Sequence, residues 1–133
     1  MRTRTPSSGE RDLPAGDRRR ELGRLGEDVA CRYLADRGFT IEERNWRTRN
    51  GEIDVIATKG KLTVFVEVKA RRTLAFGEPE ESVDARKIRK LRGLASEYLS
   101  EHGATGELRF DVISVVVDKD GAASEVRHIP GAF

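Results

Sequence analysis

A chain of 133 residues, 37% apolar and 36% charged, has the size of one domain with one hydrophobic core. Its single cysteine, Cys31, excludes an internal disulfide framework and a cysteine-built zinc site, and two histidines, His102 and His128, argue against a His-based metal site. No apolar run approaches the ~20 residues of a membrane helix, and no apolar stretch follows the N-terminal arginines, so neither a membrane span nor a secretory signal is expected. What remains is a reduced, cytoplasmic, single globular domain with no membrane partner.

The net charge of +2 is unevenly spread. Residues 1–20 hold six arginines against Glu10, Asp12 and Asp17, whereas the other 113 residues carry 19 bases and 20 acids. The folded part is therefore near neutral and lacks a dominant basic field of the kind that declares nucleic-acid binding by itself. Bases cluster locally at Lys69, Arg71 and Arg72, and again at Arg86, Lys87, Arg89, Lys90 and Arg92. The second run is equally compatible with a solvated helix face.

Residues 1–16, rich in Arg, Pro, Ser, Thr and Gly and without a period, read as a disordered basic tail, and 17–133 as the folded domain. Asp17 can cap a helix over 17–37 that Gly38 ends. Leu22, Leu25, Val29 and Tyr33 recur at helical spacing, with Gly26, Ala30 and Leu34 widening the stripe. Glu27 falls at the margin, about 110° from the stripe centre, between the small residues Gly23 and Ala30. Cys31 falls opposite the stripe and carries no expected chemistry. A strand over 39–46 leads to Asn50-Gly51, a two-residue hairpin signal because both positions accept positive φ. Strands over 52–58 and 62–70 follow, separated by Lys59-Gly60; the second is apolar on nearly both faces, as a central strand would be. An irregular loop over 71–81, with Gly77 and Pro79, precedes a helix over 82–101 that carries Ile88, Leu91, Ala95, Tyr98 and Leu99 on one side. Strands over 107–117 and 123–129, joined by an Asp120-Gly121 turn, complete the chain. This order predicts an α/β domain: a three-stranded antiparallel meander, a right-handed helical crossover to a parallel fourth strand, and a mixed sheet with a helix on each side.

Residues two apart on a strand share a face, so Glu52 is expected beside Asp54, and Glu67 beside Lys69 on the neighbouring strand. Three carboxylates and a lysine then meet near one end of the meander, with Glu27 as a fourth acid from the first helix. Clustered carboxylates repel and desolvate one another. A hard divalent cation such as Mg²⁺ removes that penalty, binds a phosphate oxygen and lowers the pKa of an attacking water. Lys69 would orient that water or stabilise developing negative charge. The plainer reading of the spacing is a Glu67–Lys69 or Asp54–Lys69 salt bridge at the strand's wet end.

Gly26-Glu27, Gly51-Glu52-Ile53-Asp54, Phe65-Val66-Glu67-Val68-Lys69-Ala70-Arg71, Arg109-Phe110-Asp111-Val112 and the ending His128-Ile129-Pro130-Gly131-Ala132-Phe133 resemble the bacterial YraN-type family. The resemblance covers roughly residues 20–133. That family in turn resembles Holliday-junction resolvase-like endonucleases of the PD-(D/E)XK superfamily, whose αβββαβ core matches the element order above. It implies metal-binding and catalytic roles for Glu27, Asp54 and Glu67, water activation by Lys69, and Mg²⁺ or Mn²⁺ as cofactor. The implied activity is that of a metal-dependent nuclease cutting phosphodiester bonds in DNA, branched or processed DNA included. Two departures stand out: Ile53 replaces the proline of the superfamily's name, and Glu52 is an additional acid, a further metal ligand or a partner for Lys69.

Arg71 and Lys87 are the expected phosphate contacts, with the loop over 71–81 either closing on substrate or serving as an ordinary connector. Trp46 at a strand end is expected as a core lid, Asp111 as a structural partner of Arg109, and His128 as a local hydrogen-bonding residue. Two other function classes compete with the nuclease: a non-catalytic nucleic-acid-binding module on a nuclease fold, and a partner-binding scaffold whose carboxylates form a salt-bridge network. A domain of this size that cut both strands symmetrically would need to act as a homodimer.

Overall fold

The computed structural model describes residues 14–72, 85–103 and 106–133. The expected tail as far as residue 13, the loop from 73 to 81 and the first three positions of the expected second helix lie outside these residues. Two helices, α1 (Ala15–Asp36) and α2 (Ala85–His102), combine with five strands: β1 (Thr40–Thr48), β2 (Gly51–Lys59), β3 (Leu62–Arg71), β4 (Glu107–Val117) and β5 (Ala123–Ile129). The strands form one sheet in chain order, antiparallel throughout except for the parallel β3–β4 pair across the α2 crossover. This is the predicted mixed α/β sheet. Among the described residues, no helix is long and apolar enough to cross a membrane.

The sheet's two faces carry separate cores. Ala30 and Leu34 of α1 pack with Val55, Ala57, Val64, Val66, Ile113, Val115 and Val117. Leu94, Ala95 and Tyr98 of α2 pack with Ile53, Ile56 and Phe65. Strand β3 contributes to both and is buried from Thr63 to Val66, as its nearly continuous apolar run predicts. Burying a side chain such as Phe65 contributes about 1.5–3 kcal/mol. Trp46 meets Tyr98 edge to face at 5.4 Å between ring centroids, closing the α2-side core as a lid.

Three local expectations are corrected. Helix α1 begins at Ala15, with Pro14 preceding it and accepting the Arg18 N–H at 2.9 Å. Asp17 is thus not the cap; it sits in the first turn, paired with Arg20, where a carboxylate offsets the helix dipole. The buried line of α1 is Gly26, Ala30 and Leu34, so Cys31, next in sequence to Ala30, is half-buried against the core and not opposite it. The first hairpin turns one residue early: Thr48 pairs with Gly51 around Arg49 and Asn50, and only Gly51 takes a positive φ, 142°. A Cβ at Gly51 would also lie 2.8 Å from Cε of Lys90, so the glycine admits α2 close to the hairpin.

A closer contact fixes α1. A Cβ at Gly26 would lie 2.6 Å from Cβ of Ala70, so glycine lets the helix rest directly on the end of β3. That packing carries Glu27 to the same end of the sheet.

Asp111 on β4 is fully buried. Arg109 donates to it twice at 2.9 Å, His128 Nε2 approaches at 2.7 Å, and the Gly131 N–H donates at 3.0 Å. Burial alone would raise this carboxyl; the bonds from His128, Arg109 and Gly131 outweigh it and hold Asp111 at about 2. The Tyr33 hydroxyl lies 3.3 Å from the other His128 ring nitrogen, and the Ala132 N–H donates to the Phe110 carbonyl at 2.8 Å. Asp111 therefore ties α1, β4 and the C-terminal residues together, in the structural role its sequence context predicts. Asp111→Ala should cost about 3 kcal/mol near pH 7, because it leaves Arg109 and His128 without their buried partner. A carboxyl held below its unfolded value stabilises above about pH 4 and loses that effect as pH falls toward 2. Urea midpoints of wild type and variant should therefore converge on acidification through that window.

Candidate functional site

The site arises where the sheet divides. Pairing between β1 and β2 runs on to Thr48↔Gly51, and pairing between β3 and β4 to Arg71↔Val116. The β2–β3 ladder between them ends at Val55↔Val66. Beyond that pair the two central strands part. One step past it stand Asp54 on β2 and Glu67 on β3. Oδ2 of Asp54 accepts the Val68 N–H at 2.8 Å, a carboxylate replacing the carbonyl that a continued ladder would supply.

Side-chain alternation also breaks here. Val55 and Ala57 enter the α1-side core, but Ile53 enters the α2-side core with Ile56, three residues on. On the facing strand, Arg44 pairs with Val55 and reaches Asp28 of α1 at 2.9 Å, whereas Trp46 pairs with Ile53 and packs on α2. Between them Asn45 takes φ 52°, a left-handed conformation that asparagine tolerates better than most residues. Simple alternation thus breaks at Ile53, yet Glu52 and Asp54 still border one cavity. Glu52 does not pair with Lys69: its carboxylate meets Arg47 Nε at 2.9 Å.

A cavity of about 210 Å³ opens at the fork, lined by Glu52, Ile53, Asp54, Phe65, Val66, Glu67, Lys87, Lys90, Leu91 and Leu94. Glu67 is its most constrained acid. Oε2 lies 3.0 Å from Lys69 Nζ in an ion pair and accepts a hydrogen bond from Lys87 Nζ of α2. The same-strand ion pair foreseen as the plainer reading is present, and a second lysine, distant in sequence, joins it. Oε1 is buried and accepts no hydrogen bond, alone in this among the side-chain polar atoms of the described residues. Leaving such an atom unsatisfied costs about 1–3 kcal/mol.

Glu27 stands on the α1 side. Its Oε1 accepts from Asn45 Nδ2 at 2.9 Å and lies 3.7 Å from Arg44. It borders the site electrostatically but does not line the cavity. Arg71 ends β3 beside a shallow depression lined also by Arg19, Leu22, Gly23, Val68, Lys69 and Ala70. The structure thus brings Asp54, Glu67, Lys69 and Lys87 together and sets Glu27, Glu52 and Arg71 around them. Sequence reasoning missed Asn45, whose signal was an asparagine in mid-strand, where that residue is depleted.

Burial pushes the Asp54 carboxyl up to about 6; the Val68 N–H opposes the rise, and the charges of Glu27, Glu67 and Glu52 add to it. For Lys87, burial works against the charge but the contact with Glu67 outweighs it, so the ammonium titrates above its usual range. Among the described residues, no three carboxylate, histidine or cysteine side chains form a ready cage for a metal ion. A two-carboxylate set still fits Mg²⁺, which keeps several waters and takes one or two protein carboxylates plus substrate phosphate. Asp54, raised by burial and neighbouring acids, and Glu67, with one bare buried oxygen, have the donor chemistry such an ion requires.

Comparison with known proteins decides the family. The description "Uncharacterised protein family UPF0102" matches residues 26–115, the stretch from Gly26 through β4 that builds this site. The chain belongs to the UPF0102 family. It is 47% identical over 116 residues to a UPF0102 protein of Moorella thermoacetica, covering 86% of this chain and 97% of that protein. A UPF0102 protein of Pelotomaculum thermopropionicum is 45% identical over 118 residues, covering 88% and 98% respectively. One from Rhodococcus jostii is 45% identical over 113 residues, covering 84% and 95%. The YraN-type resemblance read from the motifs is therefore a family membership; the motifs on α1, β2 and β3 stand around the fork, and those on β4 and at the C-terminus build the Asp111 network.

A carboxyl raised from about 4 to about 6 on folding binds more protons in the native state, so stability falls as pH rises through that window. Asp54→Asn keeps an acceptor for Val68 and removes the charge. It should stabilise the protein by about 1–3 kcal/mol at pH 7 and flatten the decline between pH 4 and 6. Urea unfolding from pH 4 to 8 checks this; a less stable variant at pH 7 would mean that the ionised carboxylate is fully compensated.

Proposed function

We propose that this UPF0102 protein is a metal-dependent nuclease that hydrolyses phosphodiester bonds in DNA, with branched or processed DNA among its substrates. The observation that carries this reading is the acidic pair at the sheet fork. Asp54 and Glu67 border an open cavity, one Glu67 oxygen lacks any partner, and two ammonium groups stand beside the other. Asp54 and Glu67 would hold Mg²⁺ or Mn²⁺, with Glu27 as an outlying acid. When bound, the ion supplies Lewis-acid polarisation of a phosphoryl oxygen and a water of lowered pKa.

The chain's own groups do the rest. Lys69, held 3.0 Å from Glu67, positions the attacking water and meets negative charge as it develops on the phosphate. Lys87 and Arg71 offer cationic contacts to flanking phosphates, Arg71 bidentate by virtue of its planar fork. A cytoplasmic location belongs to this reading, and paired incision of two strands would require a second copy of the chain.

The non-catalytic binding module is favoured by one observation: two lysines already balance Glu67. A cleavage assay separates the two. Linear, flapped and four-way-junction DNA would be presented with Mg²⁺ or Mn²⁺ to wild type and Glu67→Ala. Cutting by wild type alone upholds the nuclease and ranks its substrates; salt-sensitive binding without cutting by either protein upholds the module. Lys69→Ala should lower cleavage ~100-fold or more while changing metal affinity less than about threefold. Isothermal titration with Mn²⁺ beside the cleavage rates tests that division, and parallel loss of both would overturn the role given to Lys69.

A further inference from the structure

Glu67 presents two unlike oxygens. Oε2 is shared by Lys69 and Lys87, and Oε1 is buried and bare. The two lysines differ in how they are held. Lys69 extends from β3, whose backbone at that position is paired with Ser114 of β4. Lys87 carries the same four-carbon stem but reaches in from the first described turn of α2, an element remote in sequence from β3. It also borders the cavity, with Asp54 and Glu67.

Resting on the metal-dependent reading above, we propose that Lys87 is a tethered counter-cation that competes with the divalent metal for Glu67 and is handed over to the substrate's phosphate when the metal binds. The reason is charge balance. An ammonium and a divalent ion on one carboxylate repel each other strongly in a partly buried site. Of the two lysines on Glu67, Lys87 is the one that lines the cavity the ion would enter, so Lys87 gives way. Lys87 thereby keeps the acidic cluster folded before metal arrives, and its release places a cation beside the metal site where a nucleic-acid phosphate needs one. Lys87 is in this view a positioning residue: it acts on the metal through Glu67.

Metal binding without turnover tests this. Mn²⁺ would be titrated calorimetrically into wild type, Lys87→Gln and Lys90→Gln, with native circular dichroism required of each. Lys90 lines the same cavity but stands beside Gly51 of the hairpin, so it controls for the general field. Lys87→Gln should bind Mn²⁺ about 5–10-fold more tightly than wild type, and Lys90→Gln less than about twofold. In EDTA, Lys87→Gln should melt below wild type, with Mn²⁺ closing most of that gap. Unchanged or weaker Mn²⁺ affinity in Lys87→Gln would overturn the competition while leaving the metal reading intact. Equal tightening by Lys90→Gln would reduce it to bulk electrostatics and overturn it too. Absence of Mn²⁺ binding in all three proteins would instead defeat the metal reading, and this inference with it. Should Lys87→Gln not fold, Lys87→Met takes its place under the same criteria. A short DNA duplex titrated with and without Ca²⁺ tests the handover: Lys87→Gln should lose affinity mainly with Ca²⁺ present, and equal loss in both conditions would overturn it.

Discussion

Negative charge withdrawn from water has to be matched, and the end of the β2–β3 ladder withdraws two carboxylates at adjacent positions. Asp54 meets the demand with a backbone N–H and a carboxyl pushed up to about 6 by burial and neighbouring acids. Glu67 meets it with two lysines on one oxygen and nothing on the other. Neither solution is complete, and a cation of the proposed kind would make up the shortfall. Burial costs of this kind are tolerated only where surrounding structure is stable enough to hold them.

The contrast with Asp111 makes the point within one molecule. Asp111 is closed off from solvent, yet Arg109, His128 and Gly131 satisfy it so fully that it stays ionised, at about 2. Its work is to fasten the C-terminal residues to β4 and α1. Two aspartates in one sheet thus diverge by environment alone: complete pairing holds one carboxyl low, and burial with incomplete pairing raises the other.

Backbone detail positions the site as much as side-chain identity does. Gly26 lets α1 touch Ala70 and so carries Glu27 to the fork. Asn45, in a left-handed conformation, redirects β1 between Arg44 and Trp46 and donates to Glu27. Gly51 admits Lys90 and Leu94 of α2 beside the hairpin. The crossover after β3 then returns a basic helix over the face that carries Glu67 and Lys69, which brings Lys87 to them.

Element order, the parallel β3–β4 pair and both strands after α2 were legible in the amino-acid sequence, because period-2 and period-3.6 patterns report directly on which faces are buried. The motif residues Asp54, Glu67 and Lys69 were legible for a related reason: charge inside an apolar strand is costly enough to stand out. The partner of Glu52 was not legible: it meets Arg47 of the neighbouring strand instead of Lys69, and the pattern of one strand carries no record of its partner. The α1 stripe misplaced Cys31, since which edge of a wide apolar stripe is buried depends on where Gly26 meets Ala70. The opening of the ladder beyond Val55↔Val66, the bare oxygen of Glu67 and its second lysine were decided by tertiary structure alone. They depend on where strands part and where a helix returns, and those distances are set by packing between segments that are remote in sequence.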